Sequence, residues 1–134
     1  MDSTQDTLFS LGSFIHHVSL NVKDLDRSIE FYRDTLGFEL LSEPEVYANC
    51  RLAWFRLGAG QQLHLIQNIE GGEALAIDTR RNHVAMTVPD IGVARAFISG
   101  LGGPTVNYEG NNTFAGQAYI VDPDGHVIEA AQLR

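Results

Sequence analysis

The chain has 134 residues, 44% of them hydrophobic and 19% charged, which suits one globular domain with a buried core and leaves no room for two independent ones. No apolar run is long enough to cross a bilayer, and a formal charge of −8, from 9 Lys and Arg against 17 Asp and Glu, argues against a polyanion such as nucleic acid as the main partner. The polar, acidic start lacks the pattern of a secretory signal, and the lone Cys50 allows no internal disulfide, so a reducing cytoplasm is the expected compartment.

Residues 1–12 hold Leu8, Phe9 and Leu11 without a sustained period and read as a tail or short packing arm. From 14 to 22 the chain alternates, with Val18, Leu20 and Val22 on one side of a strand and His17, Ser19 and Asn21 on the other. Asp24 then caps a helix that turns Leu25, Ile29, Tyr32 and Leu36 to one face and stops at Gly37. This helix should cover the apolar face of the strand and leave His17 on the uncovered side. Three strands follow, near 38–42, 50–57 and 61–67, separated by the Pro44 region and by a tight turn at Gly58-Ala59-Gly60. Residues 69–81 read as a linker, with a possible turn of helix at 74–77. After Asn82 the order starts again: a strand, a helix capped by Asp90 and stopped by Gly102-Gly103-Pro104, then strands near 105–108, 117–121 and 126–131. Asp122-Pro123-Asp124-Gly125 joins the last two as a turn, and 110–116 lacks a packing pattern and reads as a mobile loop.

The restart is a repeat. At an offset of 66 residues His17 falls on His83, Val18 on Val84, Leu20 on Met86, Val22 on Val88, Asp24 on Asp90, Phe31 on Phe97 and Gly37 on Gly103. One βαβββ unit has been used twice. With the repeat as a ruler, His17 and His83 share one place on the first strands, and His64 and Glu129 nearly share one on the last strands. Any one of the histidines alone would be an ordinary satisfied or half-exposed strand residue, whereas Glu129, an acid among Val, Ile and Ala, must either face water or find a buried partner. If the units pack about a pseudo-twofold axis, three imidazoles and a carboxylate converge on one concavity, a donor set suited to Zn, Ni, Co, Fe or Mn. Tyr119, on the strand beside Glu129, is either packing or a substrate contact. Arg51 and Gln117 are read as surface residues. His16 should point away from His17 by alternation, His126 follows a turn, and neither is read as a ligand; Cys50 is read as a packed thiol.

The stretches His17-Val18-Ser19-Leu20-Asn21-Val22-Lys23-Asp24-Leu25, Ser28-Ile29-Glu30-Phe31-Tyr32 with Leu36-Gly37-Phe38, Asn82-His83-Val84-Ala85 and Asp122-Pro123-Asp124-Gly125-His126-Val127-Ile128-Glu129 together resemble the vicinal oxygen chelate superfamily, which holds glyoxalase I, methylmalonyl-CoA epimerases, extradiol dioxygenases, and fosfomycin- and bleomycin-resistance proteins. The resemblance implies an α+β fold of two tandem βαβββ units forming a curved mixed sheet around a shared metal-binding cavity. It divides the chain into a tail at 1–12 and one glyoxalase-like domain at 13–134, with units at about 14–68 and 82–132. His17, His83 and Glu129 match the general ligand positions of the family. His64 stands where glyoxalase I has Glu and the epimerases commonly Gln, and there the chain departs from both.

That resemblance implies a metal-dependent lyase or isomerase with a small-molecule substrate and one divalent transition metal per site, in which a proton moves next to a carbonyl and the metal stabilises an enediolate. His17, His64, His83 and Glu129 are the expected ligands. Glu129 is also a possible base, His64 a second acid or base, and Tyr119 a contact to substrate. The alternatives are an Fe²⁺-dependent extradiol-type dioxygenase, a fosfomycin-type thiol transferase, and a metal-free binding protein for a drug or small aromatic molecule. The family further implies a homodimer.

Overall fold

The computed structural model describes residues 15–42, 44–47, 50–67 and 82–134, together with Ser10, Gly12, Ile77 and Thr79. Most of the expected tail and of the expected linker, including its turn of helix, lies outside the described residues. Two βαβββ units are present in tandem, the first with one short additional strand at Glu45–Tyr47. The first runs β1 (His17–Val22), α1 (Leu25–Ile29), β2 (Glu39–Leu40), β3 (Glu45–Tyr47), β4 (Cys50–Gly58) and β5 (Gln61–Gln67); the second runs β6 (His83–Thr87), α2 (Ile91–Gly100), β7 (Val106–Tyr108), β8 (Phe114–Val121) and β9 (Val127–Leu133). The strands form two mixed sheets, in the orders β1-β5-β4-β2, with β3 also on β4, and β6-β9-β8-β7. In each, the first strand runs parallel to the last and lies at an edge.

Local chemistry repeats along with topology. Asp24 accepts from the Arg27 N–H, and Asp90 from the N–H groups of Gly92 and Val93, as N-caps should. The next free N–H of each helix is met from the last strand of its unit: Leu25 donates to Gln67 Oε1 and Ile91 to Gln132 Oε1, both at 2.8 Å. Each helix start is thereby tied to its sheet.

Four expectations need correction. The helix after Asp24 is α-helical only to Ile29 and continues as a π-helix over Glu30–Thr35. There Leu36 N–H donates to Phe31 O, which releases Tyr32 O to accept from Phe38 N–H. The Pro44 region is not merely a connection, because Glu45–Tyr47 pairs with β4. Residues 110–116 form an ordered turn in which Asn111 Oδ1 accepts from the N–H groups of Thr113 and Phe114, and β8 begins at Phe114. Gln117, read as surface, joins the candidate site below.

Both units contribute to one core. Val22, Leu25, Tyr32, Phe55, Leu63 and Leu65 are fully buried and cluster with Val84, Ile98, Ala118, Ile120 and Ile128. A polar staple adds to this joint. Asp122 and Asp124, in the turn between β8 and β9, are 3% exposed, and their carboxylates face α1. Tyr32 O–H donates to Asp122 Oδ2 at 2.7 Å; Lys23 N–H and Ser28 O–H donate to Asp124 at 3.0 and 3.2 Å, and Arg27 reaches it at 3.3 Å. His126 Nε2–H donates to Asn21 O at 2.6 Å. Buried carboxylates are tolerable because these donors replace water. The units are therefore joined within one chain. Among the described residues no helix is long and apolar enough to cross a membrane.

Candidate metal centre and cleft

Alternation decides what each strand offers. Val18, Leu63 and Val84 turn to the core, so His17, His64 and His83 stand on the opposite face. The ladders show how closely the repeat holds: Ser19 lies opposite His64 and Ala85 opposite Glu129, and Ser19 and Ala85 are themselves repeat partners. His64 and Glu129 thus occupy one structural position, the near match in sequence being a one-residue difference in the intervening loops. Across the last hairpin of each unit, Trp54 lies opposite His64 and Tyr119 opposite Glu129. Two equivalent triads result, His17, His64 and Trp54 in one unit and His83, Glu129 and Tyr119 in the other.

Their chemistry differs. In the first triad the rings stack: His17 and His64 have centroids 4.0 Å apart at 13°, and Trp54 and His64 4.6 Å apart at 12°. Loss of water and the neighbouring His17 and His16 hold His64 below the usual imidazole range, so it is neutral at pH 7. In the second triad a carboxylate is central. Glu129 is 3% exposed, with His83 Nε2 3.3 Å from Oε1 and Gln117 Nε2 donating to Oε2 at 3.3 Å. Tyr119, 4% exposed, also bonds to Glu129; burial first, and then that bond, raise its phenol well above the ordinary value, so it remains a donor at any working pH.

His17, His83 and Glu129 line a single cleft of about 810 Å³, whose other walls are mostly apolar and include Phe38, Met86 and Phe97. His64 does not line it. The four candidate ligands are thus brought together as two pairs, His17 with His64 and His83 with Glu129, one on each side of the cleft. Among the described residues, the one group of three or more metal-type donors with atoms within 4.8 Å of one another is His16, His17 and His64. His16 does not point away from His17: it precedes the first residue of β1, so alternation does not govern it, and its Nδ1 lies 3.0 Å from His17 Nδ1. Arg51, expected on the surface, pairs with Asp26 at 3.0 Å beside α1. Cys50 is half-buried and in no disulfide. Trp54, Gln62 and Gln117 were the residues least visible in sequence; the 65-residue step from Trp54 to Tyr119, the same as from His64 to Glu129, was the available signal for the first.

Known proteins share this sequence pattern and fold. The chain is 34% identical over 122 residues to the lactoylglutathione lyase of Haemophilus influenzae, covering 86% of this chain and 89% of that protein. Its fold matches a glyoxalase family protein from Bacillus anthracis with a TM-score of 0.73 at 22% identity, over 91% of this chain and 96% of that one. It also matches the trypanothione-dependent glyoxalase I of Leishmania major with a TM-score of 0.68 at 30% identity, over 90% and 86% of the two chains. The family description matching residues 14–130 takes in both βαβββ units and all four candidate ligands, and the chain accordingly belongs to the Glyoxalase/Bleomycin resistance protein/Dioxygenase superfamily.

Proposed function

We propose that the protein is a metal-dependent lyase or isomerase of the glyoxalase type, acting on the adduct of a thiol with a 2-oxoaldehyde by moving a proton between adjacent carbons. The observation that carries this reading is Glu129: a carboxylate 3% exposed that nevertheless lines the cleft, held by Gln117, Tyr119 and His83. The lactoylglutathione lyases among the relatives support the substrate class.

The donor set fits a divalent transition metal. Three imidazoles and one carboxylate match its usual ligands, and each pair sits at an equivalent position of its unit. His17, His64, His83 and Glu129 would hold it, and the ion when bound would supply Lewis acidity that offsets the negative charge of an enediolate. The rest follows from the chain. Apolar cleft walls exclude water and strengthen every polar contact inside. The Glu129 carboxylate takes the proton from the carbon next to the substrate carbonyl and returns it to the neighbouring carbon, so no co-reactant is consumed. Tyr119 and Gln117 fix that carboxylate.

β1 and β6 are edge strands without a neighbouring strand on their outer side among the described residues, and each carries one of the four ligands, the other two lying on the adjoining strands β5 and β9. A homodimer in which the first unit of one copy meets the second unit of another would pair the halves. The direct test of the activity is thioester formation from a methylglyoxal–glutathione mixture by chelator-stripped protein reloaded with Zn²⁺, Ni²⁺, Co²⁺ or Mn²⁺. Activity in at least one reloaded form, lost by 100-fold or more in Glu129→Gln with the fold retained, is expected; undiminished turnover in Glu129→Gln would remove Glu129 from the reaction.

A further inference from the structure

The first unit holds more imidazole than a four-ligand centre uses. One nitrogen from each of His16, His17 and His64 lies within 4.8 Å of the other two, and the Nδ1 atoms of His16 and His17 are 3.0 Å apart. Imidazole nitrogens sharing one ion at about 2.0–2.1 Å stand roughly 3–3.5 Å apart, so the His16–His17 spacing already suits a common ion and the His64 nitrogen lies within reach of it. An ion lies in the plane of each ring it binds, and the parallel His17–His64 stack must open for that. His17 is the ring able to move: it is exposed, whereas His64 is clamped between the Trp54 indole and Gln62 Oε1, which lies 2.8 Å from His64 Nε2. With its Nε2–H donated to Gln62, His64 keeps Nδ1 as its lone-pair nitrogen, the arrangement by which outer partners orient metal-binding histidines.

We propose that the first βαβββ unit binds one divalent transition-metal ion on its own through His16, His17 and His64, with Gln62 positioning the His64 ring. Three imidazole nitrogens select Zn²⁺, Ni²⁺, Co²⁺ or Cu²⁺ over Mg²⁺ or Ca²⁺. The site shares two side chains with the catalytic centre proposed above but does not require His83, Glu129 or turnover. If that centre forms, an ion captured here already sits on two of its four ligands.

The protein's one tryptophan is Trp54, stacked on His64 at 4.6 Å, so its emission reports on this cluster. Tag-free, chelator-stripped protein is titrated with Ni²⁺ or Co²⁺ at pH 7.5, alongside His16→Ala, His16→Gln and the double variant His83→Ala/Glu129→Gln, with folding of each checked by circular dichroism. Saturable quenching at one ion per chain is expected, weakened at least tenfold in both His16 variants and by less than tenfold in the double variant. No saturable quenching, or less than tenfold weakening in the folded His16 variants, would overturn the proposal. So would tenfold or greater weakening in the double variant, which would place the ion between the two ligand pairs. Because the readout is binding, absence of lyase activity refutes the catalytic reading and leaves this one standing.

Discussion

Tyr32→Phe tests the joint that holds the second unit's last hairpin against the first helix. The substitution removes one hydroxyl and leaves the ring's packing against Phe31 and Phe55 in place. The lost bond, 2.7 Å to Asp122 Oδ2, serves a carboxylate that is 3% exposed, and a hydrogen bond to a buried charged group contributes about 1.5–3 kcal/mol. A chain of this size should melt about 6–10 °C lower for a loss of about 2 kcal/mol. The penalty also carries a pH signature. Burial raises Asp122 above the ordinary carboxylate value, while Tyr32, followed by His126, pulls it down. Without the hydroxyl, Asp122 is raised further. A group whose folded pKa lies above its unfolded value contributes stability that is present below the unfolded pKa and is lost as pH rises through the folded one. The difference between wild type and Tyr32→Phe should therefore be largest near pH 7 and shrink as the pH falls toward 4. Urea unfolding of both proteins at several pH values measures it. A difference below 0.5 kcal/mol on the scale of a neutral surface change, or one that does not vary with pH, would refute the assignment of Tyr32 as a charge-supporting donor.

Tyr119→Phe should lower kcat/KM about tenfold and, by the same loss of a hydroxyl donor to a buried carboxylate, lower the melting temperature by about as much as Tyr32→Phe, whereas Tyr32→Phe should leave kcat/KM of the folded enzyme within about threefold; steady-state kinetics with melting curves separate the two. Ala59 occupies a left-handed conformation, φ 49, in the turn between β4 and β5, so Ala59→Gly should relieve about 1 kcal/mol of backbone strain, partly offset by a more flexible unfolded chain, and raise the melting temperature by a degree or two. Mixing two inactive variants, His17→Ala and Glu129→Gln, and allowing subunits to exchange should restore about a quarter of wild-type activity if sites are assembled across two chains, because one of the two sites in each mixed dimer is then intact. No recovery after demonstrated exchange would place each site within a single chain.

Much of the fold was legible because several independent signals agreed. Alternation in 17–22, an Asp cap, helical spacing and a stopping glycine all described one βα unit, and the 66-residue repeat described it a second time. The failures share a physical cause. The π-helical turn at Glu30–Thr35 rests on which carbonyl accepts from Leu36, and side-chain periodicity does not record that choice. Residues 110–116 looked unstructured because their order comes from one Asn111 carboxamide bonding to backbone, which leaves no apolar pattern. His17, His83 and Glu129 could be singled out from strand alternation, but the closeness of His16 to His17 could not, since it depends on where the ladder begins.

The two triads show how a duplicated scaffold can divide labour. The backbone keeps Ser19 opposite His64 and Ala85 opposite Glu129 with the same register, so position alone does not distinguish the halves. Side chains do. Replacing His64 and Trp54 by Glu129 and Tyr119 exchanges a stack of rings for a buried carboxylate with a hydroxyl donor, an amide donor and an imidazole beside it. The first arrangement offers imidazole nitrogens and an aromatic surface, which suits capture of a soft or borderline cation; the second offers a positioned carboxyl group, the chemistry a proton acceptor needs. The cleft has His17 on its wall from the first unit and His83 and Glu129 from the second. That asymmetry is why His64, the place where this chain departs from the glyoxalase pattern, is the residue whose substitution by Glu should most change metal preference while leaving the carboxylate chemistry of the second unit intact.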